Sequence, residues 1–170
     1  MGGLSKKAFQ FNKAVTEKQL PALLVDGGNL LFKEKNISAA LKEQVSITAK
    51  GIVKSYDAMG YHGVGVAAQD MALGLDFLKA IAANSNFPWL SANLYSNSSS
   101  KPVFTPSTIV EIGGLHIGLI GLTGKADAFL KEDDGVQVKP WQEVLPNIVD
   151  DLSLKTDTPE KPGLGTGYPD

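Results

Sequence analysis

Cysteine is absent from the 170 residues, and histidine nearly so, with only His62 and His116. The first absence excludes disulfides, thiolate metal sites and a cysteine nucleophile, and it leaves the redox compartment open. Two imidazoles are too few for a zinc, iron or dinuclear centre that draws three or more histidines from one chain. An excess of one charge is lacking too. Sixteen basic residues meet 18 acidic ones, for a net charge of −2 and a pI of about 5.7. Such a balance leaves no electrostatic footprint for nucleic acid or an anionic membrane surface. No apolar run approaches the ~20 residues that span a bilayer, and nothing after Met1 reads as a signal peptide. What is present, 43% hydrophobic and 20% charged residues, is the composition of one globular domain with a real core.

Leu4, Ala8, Phe11 and Val15 recur at helical spacing between Gly3 and Lys18, which predicts an amphipathic helix closed by Pro21. Ala22–Leu23–Leu24–Val25 is a short apolar run that stops at Asp26–Gly27–Gly28–Asn29, a buried strand entering a glycine turn. From Ser38, a candidate N-cap, the apolar positions Leu41, Val45, Ala49, Ile52, Val53 and Tyr56 predict a helix that Gly60 closes. A strand over 64–68 ending at Gln69–Asp70, a helix through Leu75, Leu78, Ile81 and Ala82, and a strand over 89–94 follow. Segments 103–112 and 115–122, joined by Gly113–Gly114, predict an antiparallel hairpin. A short strand at 136–138 and a helix from Trp141 to Leu152 close the pattern. The expected fold class is α/β, a mixed β-sheet core flanked by helices over residues 1–153. Residues 154–170, with Pro159, Pro162 and Pro169, read as a linker or disordered tail.

The motifs compete with plainer readings. Gly118 to Lys125 looks like a phosphate-binding loop, but the glycine spacing is wrong and Ala126 stands where a magnesium-binding hydroxyl belongs. Gly163, Gly165 and Gly167 precede no helical pattern, so they are no dinucleotide fingerprint. Asn36–Ile37–Ser38 and Asn97–Ser98–Ser99 match a glycosylation pattern that is common by chance. His116 fits an outward or hydrogen-bonded sheet histidine, and His62 a surface or capping one. The pairs Asp133–Asp134 and Asp150–Asp151 fit solvated charges, because neighbouring residues do not face one another. The constellation that remains is Asp26 and Asn29 after one strand with Gln69 and Asp70 after another. Strand ends side by side form the ligand crevice of an α/β sheet, and an all-oxygen set suits magnesium or calcium. The plainer alternative is that these side chains only bond the backbone of their turns.

Several segments, in order, resemble the N-terminal catalytic domain of bacterial 5′-nucleotidases, in the calcineurin-like metallophosphoesterase superfamily. They are Gly2–Gly3–Leu4–Ser5–Lys6–Lys7, the strand and turn from Leu23 to Leu31, the stretch from Tyr56 through Asp70 to Leu78, Pro88 to Asn93, and Ile117 to Thr123. The resemblance covers nearly all of residues 2–153. It implies a metallophosphoesterase-like fold in which two metal ions activate a water and clamp a phosphoester. At the positions implied for ligands this chain departs from the family. The bridging aspartate falls on Asn29, the asparagine and histidine of the next motif on Ala68 and Gln69, and its glutamate on Asp70. The first metal motif would precede Gly2, and the later histidine motifs would follow Trp141.

The expectation is therefore a degenerate, non-catalytic domain of a larger exported protein, periplasmic or extracellular. No cofactor is expected, and Asp26, Asn29, Gln69 and Asp70 are the remnant of the site. The alternative is a metal-dependent phosphoesterase of the 5′-nucleotidase type, with divalent metal ions and ligands supplied from outside this segment. The implied loss of a first strand would leave a sheet edge unpaired. The partner expected there is the remainder of a parent chain, another protein, or a second copy through self-association.

Overall fold

A computed structural model describes residues 3–126, 128–130 and 134–156. Helix α1 (Leu4–Lys18) leads to strand β1 (Val25–Asp26), and α2 (Lys42–Met59) leads to β2 (Gly63–Gly65). After a short 3-10 turn (Ala68–Met71), α3 (Leu75–Ala82) leads to β3 (Trp89–Leu90). These three strands form a parallel sheet in the order β1-β2-β3, with Val25 opposite Gly63 and Val64 opposite Trp89. Strands β4 (Leu94–Ser96) and β7 (Val136–Val138) pair antiparallel, as do β5 (Ser107–Ile112) and β6 (Leu115–Ile120). Helix α4 (Trp141–Thr156) packs on β5 and β6.

The helices follow their apolar stripes. Helix α2 buries Ala49, Val53 and Tyr56 at four- and three-residue steps, and α3 buries Leu75, Leu78 and Ile81 at three-residue steps. They close on Val64, Val66, Met71, Phe87 and Trp89, which form the centre of the core. Helix α1 buries no residue completely; it lies on the surface with Phe11 turned toward Tyr61, ring centroids 6.3 Å apart.

Several segments differ in detail from the sequence pattern. The strand expected over 22–25 is β1 at Val25–Asp26, with Val25 exposed rather than buried, and the one expected over 64–68 is β2 at Gly63–Gly65. The run 89–94 is not one strand but splits into β3 and β4, because the side chains between them serve a buried polar network. The Ser91 hydroxyl lies 2.7 Å from that of Thr123, while Asn93 donates to the carbonyl of Thr123 and accepts from its N–H. Strand β5 starts at Ser107 rather than near 103, since Pro106 has no N–H for the ladder. The helix expected from Ser38 begins as a 3-10 turn (Ala39–Leu41), and the Ser38 hydroxyl makes no capping bond. At the other end α4 includes Leu154, Lys155 and Thr156; the rest of the expected tail and Asp133 lie outside the described residues.

Candidate functional site

The site grows from two adjacent parallel strands. Strand β1 ends at Asp26, and the chain turns through Gly27 and Gly28 toward the exit of β2. Gly28 has φ +93°, and a Cβ there would stand 2.5 Å from the Gly65 carbonyl oxygen and 2.7 Å from the Ala67 Cβ. Glycine is the residue that meets both demands. Asn29 follows at φ +54°, a left-handed conformation that asparagine tolerates better than most residues.

Asp70, on the 3-10 turn after β2, is fully buried and holds this loop in place. Its Oδ1 accepts the N–H of Leu30 at 2.7 Å and of Leu31 at 3.0 Å. Its Oδ2 accepts the N–H of Asn29 at 2.9 Å and of Ala67 at 3.2 Å. Burial pushes the carboxyl pKa above the ordinary aspartate value, and the backbone donors oppose that shift without cancelling it. Gln69 tightens the same junction: its N–H donates to Asn29 Oδ1 at 3.2 Å, and its Nε2 donates to the Phe32 carbonyl at 2.9 Å.

Asp26 belongs to a different set of contacts. Its Oδ1 accepts the Gly28 N–H at 3.0 Å, an aspartate turn. Its Oδ2 accepts the Tyr56 hydroxyl at 2.9 Å and lies 3.4 Å from Lys7 Nζ, which also donates to the Tyr56 oxygen at 2.9 Å. The ammonium sits 4.9, 5.3 and 5.9 Å from the ring centroids of Tyr56, Tyr61 and Phe11, within range of their negative faces. Burial disfavours its charge, but the hydroxyls of Tyr56 and Tyr61 outweigh that effect and raise its pKa above the ordinary lysine value. Burial likewise raises Tyr56, against the pull of Lys7 and helped by Asp26.

Of the sequence-derived set, Asn29, Gln69 and Asp70 meet in one bonded junction, and Asp26 pairs with Lys7 and Tyr56. Neither histidine joins them. His62 Nδ1 accepts the Leu24 N–H at 3.1 Å, and His116 is exposed on β6 opposite Glu111. Among the described residues no group of three His, Asp or Glu side chains is placed to hold a metal ion. Residues 121–126 form no helix after β6, so the Gly118–Lys125 stretch lacks the strand-loop-helix context of a phosphate loop.

Sequence reasoning gave Lys7 and Tyr61 no role at the site, and it read Tyr56 as part of a core stripe and of a segment that carries the resemblance. Lys7 lies among several lysines on a surface helix, and no local pattern marks the one that reaches a strand end. The buried Ser91–Asn93–Thr123 network was equally silent, since these residue types usually mark loops.

No protein-family model matches the chain. It is 27% identical over 141 residues to a 5′-nucleotidase of Vibrio cholerae, an alignment covering 81% of this chain and 25% of that protein. A 5′-nucleotidase of Vibrio parahaemolyticus is 30% identical over 106 residues, covering 62% of this chain and 19% of that protein. Over these residues the chain is similar to the bacterial 5′-nucleotidases. Among solved structures, the calcineurin-like phosphoesterase YfkN of Bacillus subtilis superposes with a TM-score of 0.67 at 24% identity, covering 88% of this chain and 50% of that one. A 5′-nucleotidase precursor of Thermus thermophilus gives 0.67 at 20% identity, covering 90% and 29%. The fold is thus that of a calcineurin-like phosphoesterase domain. The chain spans about a fifth to a quarter of the length of the curated relatives it matches.

Proposed function

We propose that this 5′-nucleotidase-like domain keeps the phosphoesterase fold without the chemistry, and serves as a scaffold or binding module of a larger exported protein. Export is what the resemblance implies. One observation carries the reading: each candidate ligand is already committed inside the protein. A carboxylate has about four acceptor positions, and at Asp70 four backbone N–H groups take them in a site closed to solvent. Asp26 faces a lysine ammonium. Asn29 and Gln69 are neutral, and Ala68 has no donor atom. A dinuclear centre needs anionic or imidazole donors that point into one space, and this set does not fit one.

The names of the relatives favour a second reading, a metal-dependent phosphoesterase of the 5′-nucleotidase type whose remaining ligands come from outside these residues. Added chain would still have to compensate for an alanine at 68 and a glutamine at 69. The test is turnover of a chromogenic phosphodiester and a nucleoside monophosphate with manganese, zinc or magnesium. No metal-dependent hydrolysis is the expected result. Hydrolysis abolished by Asp26→Ala would establish the second reading.

A further inference from the structure

A cleft of about 550 Å³ lies between helices α2 and α3, and none of Asp26, Asn29, Gln69 and Asp70 lines it. Its floor is apolar. Val53 and Ile81 are buried there, and the half-buried ring of Phe77 is backed by Phe32, with 5.9 Å between centroids. One wall is a ridge of α2, where Ser46, Lys50 and Lys54 follow at four-residue steps and so share a helix face. No carboxylate lines the cleft, and among the described residues neither lysine has a hydrogen-bond or ion-pair partner. Ser46 is unengaged as well, whereas Thr48 and Ser55 on the same helix return their hydroxyls to the Gln44 and Gly51 carbonyls at 2.9 and 2.8 Å. Three free donors, two of them cationic, thus border an apolar floor with no anion to compensate them.

We propose that this cleft binds a small aromatic anion, its ring laid on Phe77 and its sulfonate, phosphate or carboxylate group held by Lys50, Lys54 and the Ser46 hydroxyl. The volume falls within the range of small-ligand pockets, about 300–1,000 Å³, and an apolar floor with a few convergent polar groups is their usual chemistry. Like charges four residues apart on a helix repel, so an anion between the two ammonium groups relieves a repulsion that the free protein carries. A protein segment is the poorer occupant. A stable protein interface takes about 20–30 residues a side, and this floor offers three apolar side chains, two of them already buried. The cleft is separate from the strand ends, so the proposal goes beyond the reading given above and does not depend on it.

The test titrates the full chain into 8-anilinonaphthalene-1-sulfonate and follows its fluorescence, with uncharged N-phenyl-1-naphthylamine as the comparison. Lys50→Gln and Lys54→Gln each remove one charge, and Lys50→Arg keeps it. Ala80→Trp fills the cleft from an exposed position on α3 and leaves both lysines in place. The expected result is saturable binding that weakens about fivefold in each glutamine variant, about what one exposed charge contributes, and stays near native in Lys50→Arg. Ala80→Trp should weaken it about tenfold or more, and the uncharged dye should bind at least about fivefold more weakly, all at unchanged Tm. If Ala80→Trp lowers Tm, the glutamine variants at exposed positions decide alone. Absence of saturable binding to the native chain, equal binding by the glutamine variants, or equal binding of the two dyes overturns the proposal. So does tighter binding of a glutamate-rich amphipathic peptide that the same lysine substitutions abolish, which would make the occupant a protein segment. Phosphodiester turnover with manganese, measured on the same samples, reports separately on the non-catalytic reading.

Discussion

Lys7 Nζ lies 3.4 Å from Asp26 Oδ2, so helix α1 delivers a positive charge to the end of strand β1. Tyr56 bridges the two, accepting from the lysine and donating to the carboxylate. The pair ties α1, which has no fully buried residue, to the sheet and to α2. Its side chains are 37% and 22% exposed, so water screens much of the attraction.

Lys7→Met is accordingly expected to cost only about 1 kcal/mol in urea unfolding, within the range for partly screened charged hydrogen bonds. Asp26→Asn should cost a similar amount, and the double variant less than the sum, because both remove one interaction. Full additivity would show that the pair is not coupled.

Asp70 carries a larger share. An asparagine in its place would keep one acceptor oxygen and turn an amide toward backbone N–H groups, so Asp70→Asn should destabilise by roughly 2–4 kcal/mol. Hydrogen exchange offers a local reading: the amides of Asn29, Leu30 and Leu31 should lose protection before those of α2. A variant with native stability and unchanged exchange would remove the carboxylate from its assigned role.

At Gly28 the argument is steric. Alanine there meets both a positive φ and a Cβ within 2.7 Å of Ala67, for an expected loss of about 2–4 kcal/mol. Gly27, whose added Cβ would meet nothing within 4 Å, is the control and should accept alanine with little change in Tm.

Alkaline pH should weaken the fold through the Lys7 cluster. Lys7 and Tyr56 both hold their protons to higher pH in the folded protein than the ordinary values of 10.5 and 10.0. The unfolded chain therefore releases protons first as pH rises through those values. The stabilisation is full below about pH 10 and is lost as pH climbs toward the folded values. Stability measured against pH should fall less steeply above about pH 10 in Tyr56→Phe than in the native chain; identical slopes would contradict the coupling.

The sequence made the layout legible where periodicity is strong. The stripes of α2 and α3, the glycine-linked hairpin and the strand end at Asp26 follow from residue type and spacing, whereas β2 ends at Gly65 and Asp70 sits on the 3-10 turn beyond it. The resemblance to 5′-nucleotidases, drawn from short segments in order, agrees with the fold and the relatives. What stayed hidden depends on long-range contact. Nothing local says that Asp70 turns inward onto the loop 41 residues before it, or that Lys7 rather than Lys6 reaches Asp26. The break between β3 and β4 was hidden too, since the partner that draws in Ser91 and Asn93 is Thr123, some 30 residues on.

Metal content decides the central claim. The full chain is dialysed against manganese, zinc or magnesium, passed through a desalting column and analysed for bound metal, with Tm measured in parallel. An occupied native-state site would raise Tm with metal concentration by mass action. The account predicts no stoichiometric retention and no metal-dependent rise in Tm. Stoichiometric transition metal that Asp26→Ala removes would contradict it.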